Sequence, residues 1–228
     1  MTCNVIATGS QGNAVVLDGT ILLDCGVPFG ALEEVCQDLS LVVLTHIHGD
    51  HFRPETIKRL AFLRPALRFL CPPWLHQPLS SLGIHERVID VASTAYRLSY
   101  GRLGGTWRNI QFEMQPISHD VPNCAWHIFA DVGGQLHRNE VFYATDCGSL
   151  DGVEARDYDL YLIEANYGED EIQERMARKL AAGGYAYESR CVESHLSREQ
   201  AEAWLAANAK EGWSKVLFLH QHRERGEI

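Results

Sequence analysis

Short apolar runs separated by turn residues dominate this chain and predict many strands. The segments 4–8 and 14–17 lie on either side of a glycine-rich turn, and Asp18-Gly19 joins the second of them to the segment 20–24. Because a two-residue turn of this kind closes a β-hairpin, the chain is expected to begin as antiparallel sheet. Further apolar runs predict strands over 41–44, 68–71, 107–117, 125–131, 140–144, 160–163 and 216–219.

Helices are predicted between some of these strands. The clearest signal is a capping box, in which Ser197 is followed three residues later by Gln200 and begins a helix that reaches about Asn208. Other helices are predicted over 30–38, 54–62 and 169–182. Many strands with a few intervening helices predict an α+β fold in which two sheets pack face to face with helices outside.

A dense group of polar residues follows the buried strand 41–44, in the stretch Thr45-His46-Ile47-His48-Gly49-Asp50-His51. Alternating spacing places His46 and His48 on the same side of an extended backbone. The small Gly49 lets the chain turn, so that Asp50 and His51 face the same space. Neutral imidazole and carboxylate groups suit zinc, iron or manganese, and the stretch therefore predicts two neighbouring ions.

This stretch resembles the first metal motif of the metallo-β-lactamase superfamily, which reads H-x-H-x-D-H. Later motifs of that family have candidates in the same order: Ile117-Ser118-His119-Asp120, Thr145-Asp146-Cys147-Gly148, and His220 after the run 216–219. The stretches 8–13, 24–26 and 194–197 are similar to the YycJ/WalJ-like branch. The resemblance implies a four-layer αββα sandwich with metal ions along one edge.

The resemblance also implies a ligand set for two divalent ions, most simply zinc, with manganese or iron as alternatives. One ion would be bound by His46, His48 and His119, the other by Asp50, His51 and His220, and Asp146 would bridge them. His222 is the alternative to His220, because spacing of two on a strand gives the same face. The surplus positive charge lowers the pKa of a bound water toward about 7 and attracts an anionic substrate.

The candidate catalytic residues are Asp50, His195 and Glu164. His195 is expected to protonate the leaving group as a general acid, with Glu164 as its orienting partner, an effect worth roughly 10²- to 10⁴-fold in rate. Glu164-Ala165-Asn166 and His195-Leu196-Ser197 resemble two loops of the phosphodiesterase branch, which includes the tRNA 3′-processing enzymes. A surface histidine ahead of a helix cap is the alternative interpretation of His195.

The chain also departs from the branches that it resembles. The separation of His119 and Asp146 leaves no room for the long substrate-holding arm of the tRNA-processing enzymes. The separation of Asp146 and His195 excludes the large inserted nuclease domain of the RNase J-like branch. His220-Gln221-His222 stands where YycJ/WalJ-like chains carry His-Leu-Ser.

A two-metal phosphodiesterase with a nucleotide-type substrate is the function that these residues favour. The substrate is either a cyclic nucleotide, as cleaved by similar phage enzymes, or the 5′ end of single-stranded DNA. Thioester or lactone hydrolysis on the same ligand set is the second enzymatic hypothesis. A metal-binding module without catalysis is the third.

Composition and charge limit the partners of the protein. The 228 residues are expected to form one domain over 1–228, and the formal charge of −10 argues against a broad nucleic-acid footprint. One basic segment could still form a positive strip beside the metal motif, with a solvated helix face as the alternative. The residues of this strip are Arg53, Lys58, Arg59, Arg64 and Arg68.

Seven scattered cysteines without a C-x-x-C pair fit a reducing cytosol. The N-terminus lacks the features of a secretion signal, and no apolar run approaches the roughly 18 residues that span a bilayer. We therefore expect a cytoplasmic protein without a membrane partner. A homodimer is compatible with the sequence.

Overall fold

The computed structural model describes residues 1–92, 95–103, 106–131, 138–183 and 188–221. Twelve strands of these residues form two six-stranded sheets, in each of which the strands stand in sequence order. The alternative ligand His222 lies outside the described residues.

The first sheet is built from the N-terminal part of the chain. Its strands β1 to β3 are antiparallel, and β3 to β6 are parallel. Asp18 and Gly19 have φ angles of 46° and 70°, the conformation that a tight hairpin turn needs, so the predicted hairpin is confirmed. The strands are β1 (Cys3–Ala7), β2 (Ala14–Leu17), β3 (Ile21–Leu23), β4 (Leu41–Val43), β5 (Arg68–Cys71) and β6 (Ile89–Val91).

The second sheet follows and has a similar plan. Its strands β7 to β10 are antiparallel, and β10 to β12 are parallel. β7 was not predicted, whereas the other five were. The strands are β7 (Ala95–Leu103), β8 (Thr106–Ile117), β9 (Asn123–Asp131), β10 (Arg138–Ala144), β11 (Leu160–Glu164) and β12 (Lys215–Leu219).

Three of the predicted helices are confirmed: α1 (Pro54–Leu63), α3 (Glu169–Ala181) and α5 (Arg198–Asn208). The capping box that begins α5 is present, with both reciprocal hydrogen bonds between Ser197 and Gln200. The structure adds two helices that were not predicted, α2 (Pro73–Ser81) and α4 (Glu188–Ser194).

The predicted helix over 30–38 is wrong. Only one 3₁₀ turn, Phe29–Leu32, forms there, and the chain continues through turns. The carbonyl groups of Cys36 and Gln37 accept hydrogen bonds from the guanidinium group of Arg64. Arg64, which follows α1, thus binds carbonyl groups at the end of the segment, where even a full helix would leave them without internal partners. The backbone hydrogen bonds within the segment mostly join residues three apart, as in turns.

Buried apolar side chains form three layers that explain the packing. The middle layer lies between the sheets and combines Leu23 and Val43 of the first sheet with Trp126 and Leu162 of the second. A second layer joins the other face of the first sheet to α1 and α2, and a third joins the second sheet to α5. The predicted four-layer αββα sandwich is confirmed.

Polar residues collect where the parallel strands end. β3, β10 and β12 are followed by Asp24, Asp146 and His220, whose φ angles are 54°, 53° and 51°. Asp and His tolerate this left-handed conformation better than most residues, but it is still disfavoured and is kept only where the surroundings enforce it. The chain thus turns sharply at each of these strand ends and directs polar side chains to one edge of the sandwich.

Candidate metal centre

The first group of candidate ligands consists of His46, His48, His119 and Asp146, which offer ligand atoms within 4.8 Å of one another. Nδ1 of His48 lies 3.2 Å from Nε2 of His119. Oδ2 of Asp146 lies 3.6 Å from Nε2 of His46 and 3.8 Å from Nε2 of His119. Four ligand atoms therefore face one small volume, which we call the first half-site.

The second group consists of Asp50, His51, His220 and again Asp146. Oδ1 of Asp146 lies 3.2 Å from Nε2 of His51 and 2.6 Å from Nδ1 of His220. Oδ2 of Asp50 lies 3.6 Å from Nε2 of His220. This second half-site shares Asp146 with the first, and the two oxygens of that carboxylate face the two half-sites separately.

The residues of both half-sites fit divalent cations. Nε2 of His46 and Nε2 of His220 are buried and have no hydrogen-bond partner among the described residues, although buried polar atoms nearly always have one. A tetrahedral cation with bonds of about 2.1 Å separates its ligand atoms by about 3.4 Å, close to the distances found here. The fold and these clusters thus indicate that the protein binds divalent metal.

In the second half-site, the charge of each side chain shifts the pKa of its neighbours. Burial alone lowers the pKa of His51, but the carboxylates of Asp146 and Asp24 outweigh burial and raise it well above its usual value. Burial opposes a charged His220 in the same way, yet Asp146 and Glu164 raise the pKa of His220 to about 10. Burial favours a neutral Asp146, but His51 and His220 hold its pKa well below the usual range. The negative charge of Asp146 and the positive charges of His51 and His220 therefore stabilise one another in the second half-site.

The first half-site differs because burial prevails there. Burial lowers the pKa of His46 and of His119, and the neighbouring carboxylates only partly offset this effect. Both imidazoles are consequently neutral near pH 7. Neutral imidazole is the form that binds a metal ion.

Asp24 contacts His51 of the second half-site directly and His46 of the first through Thr45, and the sequence analysis assigned it no role. Its buried carboxylate accepts hydrogen bonds from the backbone and hydroxyl group of Thr45, from Tyr143 Oη at 2.7 Å, and lies 2.7 Å from Nδ1 of His51. Thr45 Oγ1 in turn lies 2.9 Å from Nδ1 of His46. The available signal was an acidic residue directly after the apolar run Ile21–Leu23, as at the other strand ends.

Asp120 is a second residue without a predicted role. Its Oδ1 lies 3.3 Å from Nε2 of His48 and 3.1 Å from Nε2 of His119, and its side chain is half exposed. The sequence signal was its position directly after His119. Asp120 therefore stands at the solvent side of the first half-site.

Glu164 joins His195 to the second half-site. Oε1 of Glu164 lies 2.6 Å from Nδ1 of His195 and 3.0 Å from Nδ1 of His220. Its Oε2 accepts a hydrogen bond from the backbone of Cys147. The His195 ring lies 5.5 Å from the His119 ring and 5.0 Å from the His220 ring, centroid to centroid. The structure thus brings the predicted catalytic pair together with the predicted ligands.

Several of the basic residues behind the metal motif make local contacts. The guanidinium group of Arg59 stacks 4.0 Å from the centre of the Phe29 ring, and Arg68 forms an ion pair with Asp90. Arg64 is bound to backbone carbonyl groups. Three of the five cations are therefore engaged in local contacts.

Comparisons with known proteins agree with this geometry. The model of a family described as "Beta-lactamase superfamily domain" matches residues 20–220. A search of curated proteins finds no match. Among the described residues, no helix combines the length and apolar composition that crossing a membrane requires.

Two solved structures share the fold. The short form of human tRNase Z has a TM-score of 0.64 and 17% identity, over 97% of this chain and 93% of that one. The metallo-beta-lactamase fold protein YhfI from Bacillus subtilis has the same TM-score and identity, over 96% of this chain and 85% of that one. At this level of identity the likeness concerns the fold alone.

Proposed function

We propose that this chain, which belongs to the metallo-β-lactamase superfamily, cleaves phosphodiester bonds of a nucleotide-type substrate. Metal-dependent hydrolysis is supported by the fold and by the two half-sites. The observation that carries the finer proposal is the contact of 2.6 Å between Glu164 and His195 beside both half-sites. A phosphodiester with an alkoxide leaving group needs a proton donor at that place.

Two divalent cations, with zinc expected first and manganese or iron as alternatives, would supply positive charge and Lewis acidity. His46, His48 and His119 would hold one cation, Asp50, His51 and His220 the other, and Asp146 both. Two carboxylates against two dications leave a positive surplus, which favours an anionic substrate. The side chain of Asp50 is 20% exposed, so it also faces the space where the substrate binds.

His195 would give its proton to the leaving oxygen. Its Nδ1 faces the Glu164 carboxylate, so the proton that can be transferred is the one on Nε2. Burial alone lowers the pKa of His195, but hydrogen bonding to Glu164 outweighs burial and raises it. The raised pKa favours the protonated form of His195 that a general acid requires.

The charge distribution supports a small substrate. The protein carries a formal charge of −10, and Arg59, Arg64 and Arg68 each make local contacts. A long nucleic-acid strand binds through a continuous row of basic side chains that neutralise its phosphates. We therefore rank a cyclic or otherwise short nucleotide diester ahead of a single-stranded DNA end.

The test is a substrate panel with metal-loaded protein. We expect hydrolysis of bis-p-nitrophenyl phosphate and of at least one cyclic nucleotide, weaker trimming of labelled single-stranded DNA, and little turnover of a thioester or a lactone. Protein treated with a chelator serves as the control. Efficient thioester or lactone hydrolysis without phosphodiester cleavage would overturn the proposal in favour of the alternative esterase function.

A further inference from the structure

Residues 8–13 form a turn, which we call the N-terminal turn, that lies beside the second half-site. The turn closes on itself, because Gly12 N donates to Gly9 O at 3.0 Å and Gly9 N donates to Asn13 Oδ1 at 2.9 Å. Gly9 and Gly12 have φ angles of 114° and 148°, which residues with a side chain rarely adopt. The turn is therefore a preformed unit whose buried side chain is that of Asn13.

Asn13 fixes the backbone that carries two ligands of the second half-site. Its backbone N–H donates to Asp50 O at 2.7 Å, and its Nδ2 also reaches Asp50 O at 3.2 Å. Nδ2 also lies 2.8 Å from Nε2 of His51, but a cation bound at that nitrogen would replace this contact, so the support comes from the bonds to Asp50 O. Gly26 packs against the same carbonyl, where a Cβ atom would lie 1.7 Å from Asp50 O. The peptide between Asp50 and His51 thus has little freedom to move.

Thr8 fixes the third ligand. Its Oγ1 accepts a hydrogen bond of 2.6 Å from His220 N. His220 has a φ angle of 51°, a conformation that needs support from neighbouring groups. The Thr8 hydroxyl group supplies part of that support and so helps to direct the imidazole of His220 toward Asp50 and Asp146.

Other parts of the chain orient the ligands of the first half-site. Thr45 Oγ1 contacts His46 Nδ1, Ser194 O contacts His119 Nδ1 at 3.0 Å, and Asp120 contacts His48. In the described part of the chain, no hydrogen bond joins the N-terminal turn to a histidine of that half-site. The supports of the two half-sites are therefore largely separate.

We propose that the N-terminal turn sets the affinity of the second half-site alone. Thr8 and Asn13 are positioning residues for the cation held by Asp50, His51 and His220, and this inference rests on the two-metal function proposed above. Groups that orient a metal ligand typically change metal affinity by about 10- to 100-fold when they are removed. Removing Thr8 or Asn13 should therefore lower the affinity for one of the two cations and leave the affinity for the other unchanged.

The decisive variant is Thr8→Val, which removes the hydroxyl acceptor and nearly preserves the volume of the side chain. Metal-free protein is titrated with Co²⁺, followed by visible absorption, and with Zn²⁺ by calorimetry. We expect one of the two equivalents to lose about 10- to 100-fold in affinity and the other to stay as in the wild type. Thr8→Ser keeps the hydroxyl group and should bind like the wild type. Ser10→Ala changes an exposed side chain of the same turn and is the matched control.

Asn13→Ala is the second variant and should show the same selective loss. Equal weakening of both equivalents, or wild-type affinity for both, would overturn the inference. If circular dichroism shows that Thr8→Val and Asn13→Ala both fail to fold, the inference also fails, because the turn then supports the whole fold. If the wild type binds two cations and cleaves phosphodiesters, and Thr8→Val binds both cations equally well, the inference fails but the proposed function stands. If the wild type binds no cation, both the inference and the proposed function fail.

Discussion

The carboxylate of Glu164 lies 2.6 Å from Nδ1 of His195, although 31 positions separate the two residues in the chain. Glu164 is the last residue of β11, and His195 lies between α4 and α5. The positive end of the α5 dipole disfavours an imidazolium ion at this place. The buried carboxylate of Glu164 offsets that effect.

His195→Ala should lose rate and keep both cations, because His195 would donate a proton without binding metal. We expect a loss of about 10²- to 10⁴-fold for substrates with alkoxide leaving groups. Bis-p-nitrophenyl phosphate should be affected much less, since p-nitrophenolate leaves without protonation. Kinetics on both substrate types and elemental analysis provide the measurement.

His220→Ala is the matched comparison for that variant. It should lose about one equivalent of metal, and a good leaving group should not rescue it. If His195→Ala loses metal and His220→Ala keeps it, the two roles are exchanged.

Glu164→Gln should shift the pH profile. Glu164 raises the pKa of His195 above 6.5, so the acid form persists to higher pH and the rate falls as pH rises through that raised pKa. The neutral amide removes the stabilising charge, and the basic limb of the profile should therefore move to lower pH. Metal content is measured in parallel, because Glu164 also contacts His220. An unchanged basic limb would exclude His195 as the acid that Glu164 tunes.

Asp146→Ala should remove most activity and weaken the binding of both cations. The two oxygens of this carboxylate face different half-sites, and among the described residues no other candidate ligand belongs to both half-sites. Cation stoichiometry and turnover are compared with those of Asp151→Ala, which removes an exposed carboxylate nearby in sequence. Near-normal turnover of Asp146→Ala would show that the bridging role is misassigned.

The dependence of binding on salt concentration should distinguish a small substrate from single-stranded DNA. Each phosphate that a protein cation neutralises on a strand releases counterions, so binding along a basic groove weakens steeply with salt. We expect shallow salt dependence for a cyclic nucleotide and equally shallow dependence for single-stranded DNA, because Arg59 and Arg68 are engaged elsewhere. A steep dependence for the strand, reduced by Lys58→Ala, would instead support a strand-binding groove.

Local patterns in the sequence were enough to predict most of the sandwich. The capping box at Ser197 and the hairpin at Asp18-Gly19 depend on neighbouring residues only, and both are present. Helix α2 was not predicted, although Pro73 lies in its first turn, where proline is favoured. The segment 30–38 forms turns instead of a helix, and Arg64 from outside the segment binds the carbonyl groups at its end.

The candidate ligands were found because histidine and aspartate after buried strands have few structural uses. Their supporting residues could not be found in this way. Asp24, Asn13 and Asp120 act through contacts with residues that are distant in sequence or on other strands, such as the bond between Asp24 and Tyr143. Their local sequence signals, such as the position of Asp24 after a strand and of Asp120 after His119, are shared by many ordinary turn residues. Only the packed structure shows which side chains they reach.

Both half-sites take ligands from both sheets. His46 and His48 follow β4 of the first sheet, whereas His119 follows β8 and Asp146 follows β10 of the second. A bound cation would therefore cross-link two layers that are otherwise joined by apolar contact and by a few hydrogen bonds, such as that between Tyr143 and Asp24. Because His220 follows β12, the second half-site is complete only when β12 is paired with β11. A cation bound there would therefore stabilise the assembled sandwich relative to the unfolded chain.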